Sequence, residues 1–341
     1  MYPQFFRHQN NSDGDLLTSA ESQKFLKSQA EKLERNYKSG SITLIELTSN
    51  PTIDFIRSRV SQAPVIYACD FYVQDIEQGT RITSGYQLDG FFNIDHHSKH
   101  QDFYTHISSG VLAINHVVEY GAIDASIPVV INHTDCDSTI SSLIMRGYLD
   151  PHPIFANAVI AADHTGEPNP IADLLQALDV KRDLDFSVGN LVKHLKNEPL
   201  DPQAQQLLDQ RNFSRLVAEQ EAKLFSQNGL LAHHILEERI DGEFLPSLLP
   251  TAGVIVYFYN KNDAHNPRWV MKARLGNMAP AGATLFDLNI NEFDPYFGGR
   301  WNAGGNDRGG DGKDPTAFVD YLLSQMKLSD NIFNQSVSPS L

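Results

Sequence analysis

Histidine and aspartate are unevenly placed along this chain. Eight of its 13 histidines (His96, His97, His100, His106, His116, His133, His152 and His164) fall within 69 of its 341 residues. Aspartates interleave with them: Asp70 stands alone, followed by Asp95-His96-His97, then His133-Thr134-Asp135-Cys136-Asp137, then Asp163-His164. Carboxylates and imidazoles in this mixture suit Mn2+, Mg2+ or Fe2+ better than a structural zinc site, which favours thiolates. So many carboxylates in one crevice would repel each other unless cations sat among them. The plainer alternatives are that the histidines cluster by chance in loops, and that Asp135, Asp137 and Asp163 each cap a following helix.

Each of the four runs follows a short apolar segment of strand length, at 65–68, 91–94, 129–131 and 158–162, and a further one lies at 42–47. Helical patterns separate several of them, at 109–120, at 139–147 and as a single turn at 154–157. This alternation predicts an α/β domain with a mainly parallel sheet and helices on both faces. In open α/β sheets the ligand crevice lies outside the carboxyl ends of the strands, so four strand ends would deliver Asp and His to one place. A capped helix is predicted at 18–37, preceded by an arm of 17 residues. Residues 201–228 read as one long helix, with Pro202 at its start and Gly229 after its end. Strands at 230–238, 253–260 and 269–275, a glycine-rich segment and a helix at 315–326 complete the chain. The expected organisation is an N-terminal arm and helix (1–41), a metal-binding catalytic domain (42–200), a linker helix (201–229), a smaller α+β substrate-binding domain (230–330) and a tail (331–341).

Charge narrows the partners. With 42 acidic against 27 Lys+Arg residues the formal net charge is −15, which argues against a grip on duplex nucleic acid by general phosphate neutralisation. Residues 261–313 differ, with seven Lys+Arg against six Asp+Glu, so a small or single-stranded anionic ligand is still admissible there. An apolar fraction of 41% fills cores for about two domains. Two cysteines, Cys69 and Cys136, make no disulfide framework, and Met1-Tyr2-Pro3-Gln4 starts no signal-peptide pattern. Apolar runs fall well short of the roughly 18 residues of a membrane span. The expectation is a soluble cytoplasmic protein without membrane contact; its oligomeric state is open.

Asp95-His96-His97 at the end of an apolar run, with Asp70 at the end of another 25 residues earlier, resembles the DHH phosphoesterase superfamily. That superfamily includes single-strand exonucleases, oligoribonucleases, cyclic-dinucleotide phosphodiesterases and family II pyrophosphatases. The serine-containing stretch 107–121 is similar to the helix after its motif, and Ala162-Asp163-His164-Thr165-Gly166 to its later Asp-headed turn. Residues 269–275, with Arg274, and the run Phe297-Gly298-Gly299-Arg300-Trp301-Asn302-Ala303-Gly304-Gly305 resemble the DHH-associated substrate domain. The resemblance implies two-metal hydrolysis of a phosphoester, with Mn2+ first and Mg2+ or Fe2+ as alternatives. It implies Asp70 as bridging ligand, with His96, Asp135, Asp137, Asp163 and His133 completing the metal set. Asp95 would orient an imidazole, and His97 would stand beside the scissile phosphate as a positioned acid. Arg274, Gly298, Gly299, Arg300, Asn302, Gly304, Gly305 and Arg308 would hold the rest of a small nucleotide or short single-stranded oligonucleotide.

The chain departs from that pattern twice. The family's first motif is reduced here to Asn50-Pro51 and Asp54, while a fuller copy, His133-Thr134-Asp135-Cys136-Asp137, comes after the Asp-His-His run and is preferred as the ligand source. A loop histidine of the family is replaced by Arg300-Trp301, so Trp301 either stacks on a base or is buried. His164 and Glu167 are either extra ligands or loop residues. Two other functions stay open: a binuclear hydrolase of ureohydrolase type acting on a non-phosphate bond, and a nucleotide-binding sensor without turnover.

Overall fold

The computed structural model describes residues 20–46, 50–60, 63–97, 107–261, 268–307 and 314–335. They form two compact units, one containing Ile107–Asp163, Pro168–Arg211 and the described residues up to His97, the other His164–Glu167 and the described residues from Asn212. Each unit is built on a six-stranded sheet, and the whole is a mixed α/β structure.

In the first unit the order is β1 (Thr43–Leu44), β6 (Val129–Ile131), β2 (Ile66–Cys69), β5 (Phe91–Ile94), β4 (Gly85–Leu88) and β3 (Thr80–Ile82). The first four are parallel; β4 and β3 add an antiparallel hairpin at one edge. Thus β2, β5 and β6 fall on the apolar runs, whereas the hairpin was not expected. Continuous apolar strands such as Val129-Val130-Ile131, buried on every residue, are what a sheet covered on both faces requires.

The run at 158–162 is a correction. It is not a strand: the helix Pro153–Ile160 continues into a π turn at Ala161–Thr165. Pro153 at the first turn, His152 as cap and the alanines at 156, 158, 161 and 162 favour helix, which a short apolar run cannot reveal by periodicity. Asp163 therefore arrives on a π turn, a feature that recurs at functional sites.

The helix expected at 201–228 is Pro202–Ala222, and its tail is instead strand β7 (Ser226–Asn228). Gly229, with φ +60, makes the two-residue turn from β7 into β8 (Leu231–Leu236), so it serves a hairpin and not a helix end. The second sheet runs β11 (Gly298–Gly299), β12 (Ala303–Gly305), β10 (Arg268–Leu275), β9 (Val254–Lys261), β8, β7. Along β9, alternation sends Val254, Val256 and Phe258 to one core and Ile255, Tyr257 and Tyr259 to another. Among the described residues no helix is long and apolar enough to cross a membrane.

Candidate metal centre

Three adjacent parallel strands end at one edge of the first sheet, and each releases a potential ligand there. Asp70 follows β2, Asp95-His96-His97 follow β5 and His133 follows β6. Asp70 takes φ +63, the left-handed region that costs a non-glycine residue energy, and its N–H still donates to Ile94 O at 3.0 Å. Its carboxylate is buried and addressed from two sides. Oδ1 accepts from Ser109 Oγ at 2.9 Å and lies 3.8 Å from His97 Nδ1 and 3.9 Å from His96 Nε2. Oδ2 accepts from Ser138 Oγ at 2.8 Å and lies 3.1 Å from His133 Nε2. Burial pushes this carboxyl up, but hydrogen bonding and charge from His133, with His97, outweigh it and hold Asp70 below the usual carboxylate range.

Asp70, His96 and His97 form one group with metal-ligand spacing; Asp70, His133 and Asp135 form another. His133 Nε2 is 3.2 Å from Asp135 Oδ2, and its Nδ1 meets Asn132 Oδ1. Burial opposes protonation of His133, yet Asp135 and Asp70 push its pKa up to about 12. Asp135 also caps the helix Cys136–Met145, accepting from Ser138 N at 2.9 Å. Capping and ligation are therefore not exclusive for this residue, since a carboxylate has lone pairs for both.

Asp137 is different in kind. Its Oδ2 accepts from Ser109 N at 2.8 Å and its Oδ1 from Gly110 N at 2.6 Å, so it caps the helix Ser109–Tyr120 across the chain. Oδ2 also lies 3.7 Å from His96 Nε2. Burial, then the charges of Asp70, Asp163 and Asp135, push Asp137 well above the usual range. This crowding of buried carboxylates is the electrostatic condition that divalent cations relieve, and the Asp/His donor set fits hard to borderline ions.

Asp163 Oδ2 is 2.8 Å from His96 Nε2. Asp95 pairs with His97 at Nδ1, a contact that orients the ring. Asp54 is exposed and belongs to none of the metal-ligand groups found among the described residues. Ser109 and Ser138, which orient Asp70, were not singled out from the sequence; the only signal was their position beside the acidic run and in the helix after the Asp-His-His motif.

In the second unit a cavity of about 730 Å3 is lined by Arg274, Gly298, Gly299, Gly304 and Gly305, all expected binding residues, together with Arg239, Lys272, Glu243, Tyr257 and Tyr296. Arg300 and Asn302 do not line it. Arg300 N donates to Ala303 O at 2.9 Å, closing the β11–β12 turn. Asn302 is buried with its Nδ2 3.2 Å from His164 Nδ1, so both are packed within this unit. Trp301, 4% exposed, belongs to the core beside Phe297 and Phe318, which excludes stacking on a base in this conformation. Glu167 is exposed, and Arg308 lies outside the described residues.

Comparison with protein-family models finds no match, and comparison with curated proteins finds none. Among solved structures the chain is similar to a pGpG-specific phosphodiesterase, PggH from Vibrio cholerae, at TM-score 0.44 and 11% identity over 88% of this chain and 97% of that one. It is also similar to exonuclease RecJ bound to manganese, at TM-score 0.39 and 9% identity over 92% of this chain and 95% of that one.

Proposed function

We propose that this protein is a metal-dependent phosphoesterase acting on a small nucleotide or a short single-stranded oligonucleotide. The observation that carries the reading is the Asp70 carboxylate, whose two oxygens face two different sets of potential ligands, Oδ1 toward His96 and Oδ2 toward His133 and Asp135. A carboxylate so placed is suited to bridge two divalent ions, Mn2+ first, with Asp163 beside His96. When bound, such ions acidify water and offset the charge that builds on a phosphoryl group.

The chain's own groups supply the rest. Ser109 and Ser138 fix the rotamer of Asp70 by donating to one oxygen each. Asp95 keeps the His97 Nδ1 proton in place, which stabilises the imidazolium and directs Nε2 to the leaving oxygen as proton donor. Substrate recognition is assigned to the second unit's cavity, where Arg274 and the bare backbone of Gly298 stand. The Asp-His-His run and the glycine-rich run, by resemblance, favour a phosphoester over other hydrolysable bonds.

The test is metal analysis of the purified chain together with hydrolysis of bis-p-nitrophenyl phosphate and of a dinucleotide in Mn2+. Asp70→Asn and Asp135→Ala are expected to lose both metal and hydrolysis. Bound metal without phosphodiester hydrolysis would favour the ureohydrolase-like alternative; nucleotide binding without stoichiometric metal would favour the sensor.

A further inference from the structure

The loop that carries His133 and Asp135 is held peptide by peptide, mostly from one short stretch of chain. Arg182 Nη2 donates to Asn132 O, and Asp179 Oδ1 accepts from Thr134 N at 2.7 Å and from Thr134 Oγ1 at 3.0 Å, so the two peptide planes that flank the His133 Cα are pinned. The planes that flank Asp135 are pinned as well: Thr139 Oγ1 donates to Thr134 O at 3.0 Å, and Cys136 N donates to Gln176 Oε1 at 3.0 Å. Gln176 lies near the end of the helix Pro170–Leu178, and Asp179 and Arg182 begin and close the 3-10 turn Asp179–Lys181 that follows, all in the same unit as the loop. Arg182 closes that turn in the left-handed region, at φ +50, with its backbone N–H donating to Asp179 O at 2.9 Å. Thr134 is fully buried, and a carboxylate accepting a buried backbone N–H makes one of the stronger hydrogen bonds.

We propose that Asp179, with Gln176 and Arg182, is a clamp that positions His133 and Asp135 as ligands of one of the two ions. This rests on the reading of Asp70, His133 and Asp135 as one metal group. Without the clamp the peptides from Asn132 to Cys136 could turn, and an ion would have to order them as it bound; with it, their ordering is complete on folding. His96 and His97 arrive from another strand end, after β5, so the clamp acts on one ion and not on the other. Asp179 touches neither ion nor substrate in this scheme and works only through the backbone of Thr134 and its hydroxyl.

The test strips the full-length protein of metal with EDTA and titrates it with Mn2+ by calorimetry, with His133→Ala marking which binding event belongs to the His133 and Asp135 group. Asp179→Ala is expected to weaken that event by about 10- to 100-fold, as for other residues that orient metal ligands, and to leave the other event as in the wild type. Asp179→Asn, which keeps an acceptor for Thr134, should recover most of the loss, and Gln176→Ala should weaken the same event less. Unchanged Mn2+ affinities in Asp179→Ala would overturn the proposal. So would an equal fall in both events, which marks a general structural role. A wild-type protein that takes up no Mn2+, or none that His133→Ala removes, would overturn the metal-group reading and the proposal with it. Should Asp179→Ala not fold, Arg182→Gly carries the same comparison, because it removes an exposed guanidinium and suits the left-handed backbone.

Discussion

Asp95 holds His97 at two points: Oδ1 lies 2.5 Å from the ring Nδ1, and Oδ2 accepts the His97 backbone N–H at 3.1 Å. Such a pairing fixes the tautomer and orientation of an imidazole without placing the carboxylate on the substrate. Asp95→Asn keeps the shape and removes the charge. The expected result is a fall in kcat of about 100-fold on a phosphodiester, within the usual range for positioned acid–base groups, with KM and Mn2+ stoichiometry unchanged. Loss of metal in place of kcat would assign Asp95 to the ligand set.

The two capping aspartates allow structural and chemical roles to be separated. Asp137 satisfies two orphan N–H groups of the helix Ser109–Tyr120, whereas Asp135 satisfies one, Ser138 N. Asp137→Ala should destabilise the metal-free protein by about 1–3 kcal/mol, because both amides are left buried without an acceptor. Asp135→Ala should cost about 1 kcal/mol before metal is added and act mainly on Mn2+ affinity. Melting curves with and without Mn2+ check both; equal behaviour of the two variants would refute the distinction.

The sheet that carries the centre was legible because its strands are uninterrupted apolar runs closed by polar residues. Phe91–Ile94 and Val129–Ile131 occupy the positions read from the sequence, and their ends place Asp95-His96-His97 and His133. The π turn carrying Asp163 was not legible, since an alanine-rich apolar stretch has the length of a strand and the propensity of a helix. Gly229 was read as ending a helix when it turns a hairpin, a choice that depends on whether Ser226–Asn228 finds a partner in β8. The strands of the hairpin at that sheet's edge, Thr80–Ile82 and Gly85–Leu88, are too short and mixed to show an alternation. Trp301 illustrates a different limit: an aromatic among glycines looks available for stacking, but it is buried in a core shared with residues as distant in the chain as Val254 and Phe318.

Acidity should weaken the fold through histidines outside the metal centre. His116 is buried, with Nδ1 2.8 Å from Ser84 Oγ and the rings of Tyr67 and Tyr120 beside it, and burial holds its pKa below 6.5 against the opposing charge of Glu119. His194 is lowered by burial as well. Above pH 6.5 both are neutral, folded or unfolded. As pH falls through 6.5 the unfolded chain takes up protons that the folded one refuses, so stability is lost on that side, at up to about 1.4 kcal/mol per pH unit for each group. Melting in EDTA between pH 7.5 and 5 also carries the opposing titration of His133 and Asp137, which gain stability as pH falls, so the contribution is read as a difference: His116→Gln should lose less stability than the wild type over that range. A slope unaltered by that substitution would place the proton uptake elsewhere.

The glycines of the β11–β12 hairpin should divide by function. At Gly304 a Cβ would stand 2.6 Å from Phe297 Cζ and 2.7 Å from Gly298 O, so this glycine is required for packing. At Gly298 a Cβ would meet nothing within 4 Å, its φ is not in the left-handed region, and it lines the cavity. Gly304→Ala is therefore expected to lower the melting temperature whether or not substrate is present. Gly298→Ala should leave melting unchanged while raising KM for a nucleotide substrate, because a methyl group would stand where a ligand approaches bare backbone. Steady-state kinetics beside melting curves distinguish the two. An unaltered KM in Gly298→Ala would mean that the substrate does not reach β11, and would leave recognition to Arg274 and the opposite wall of the cavity.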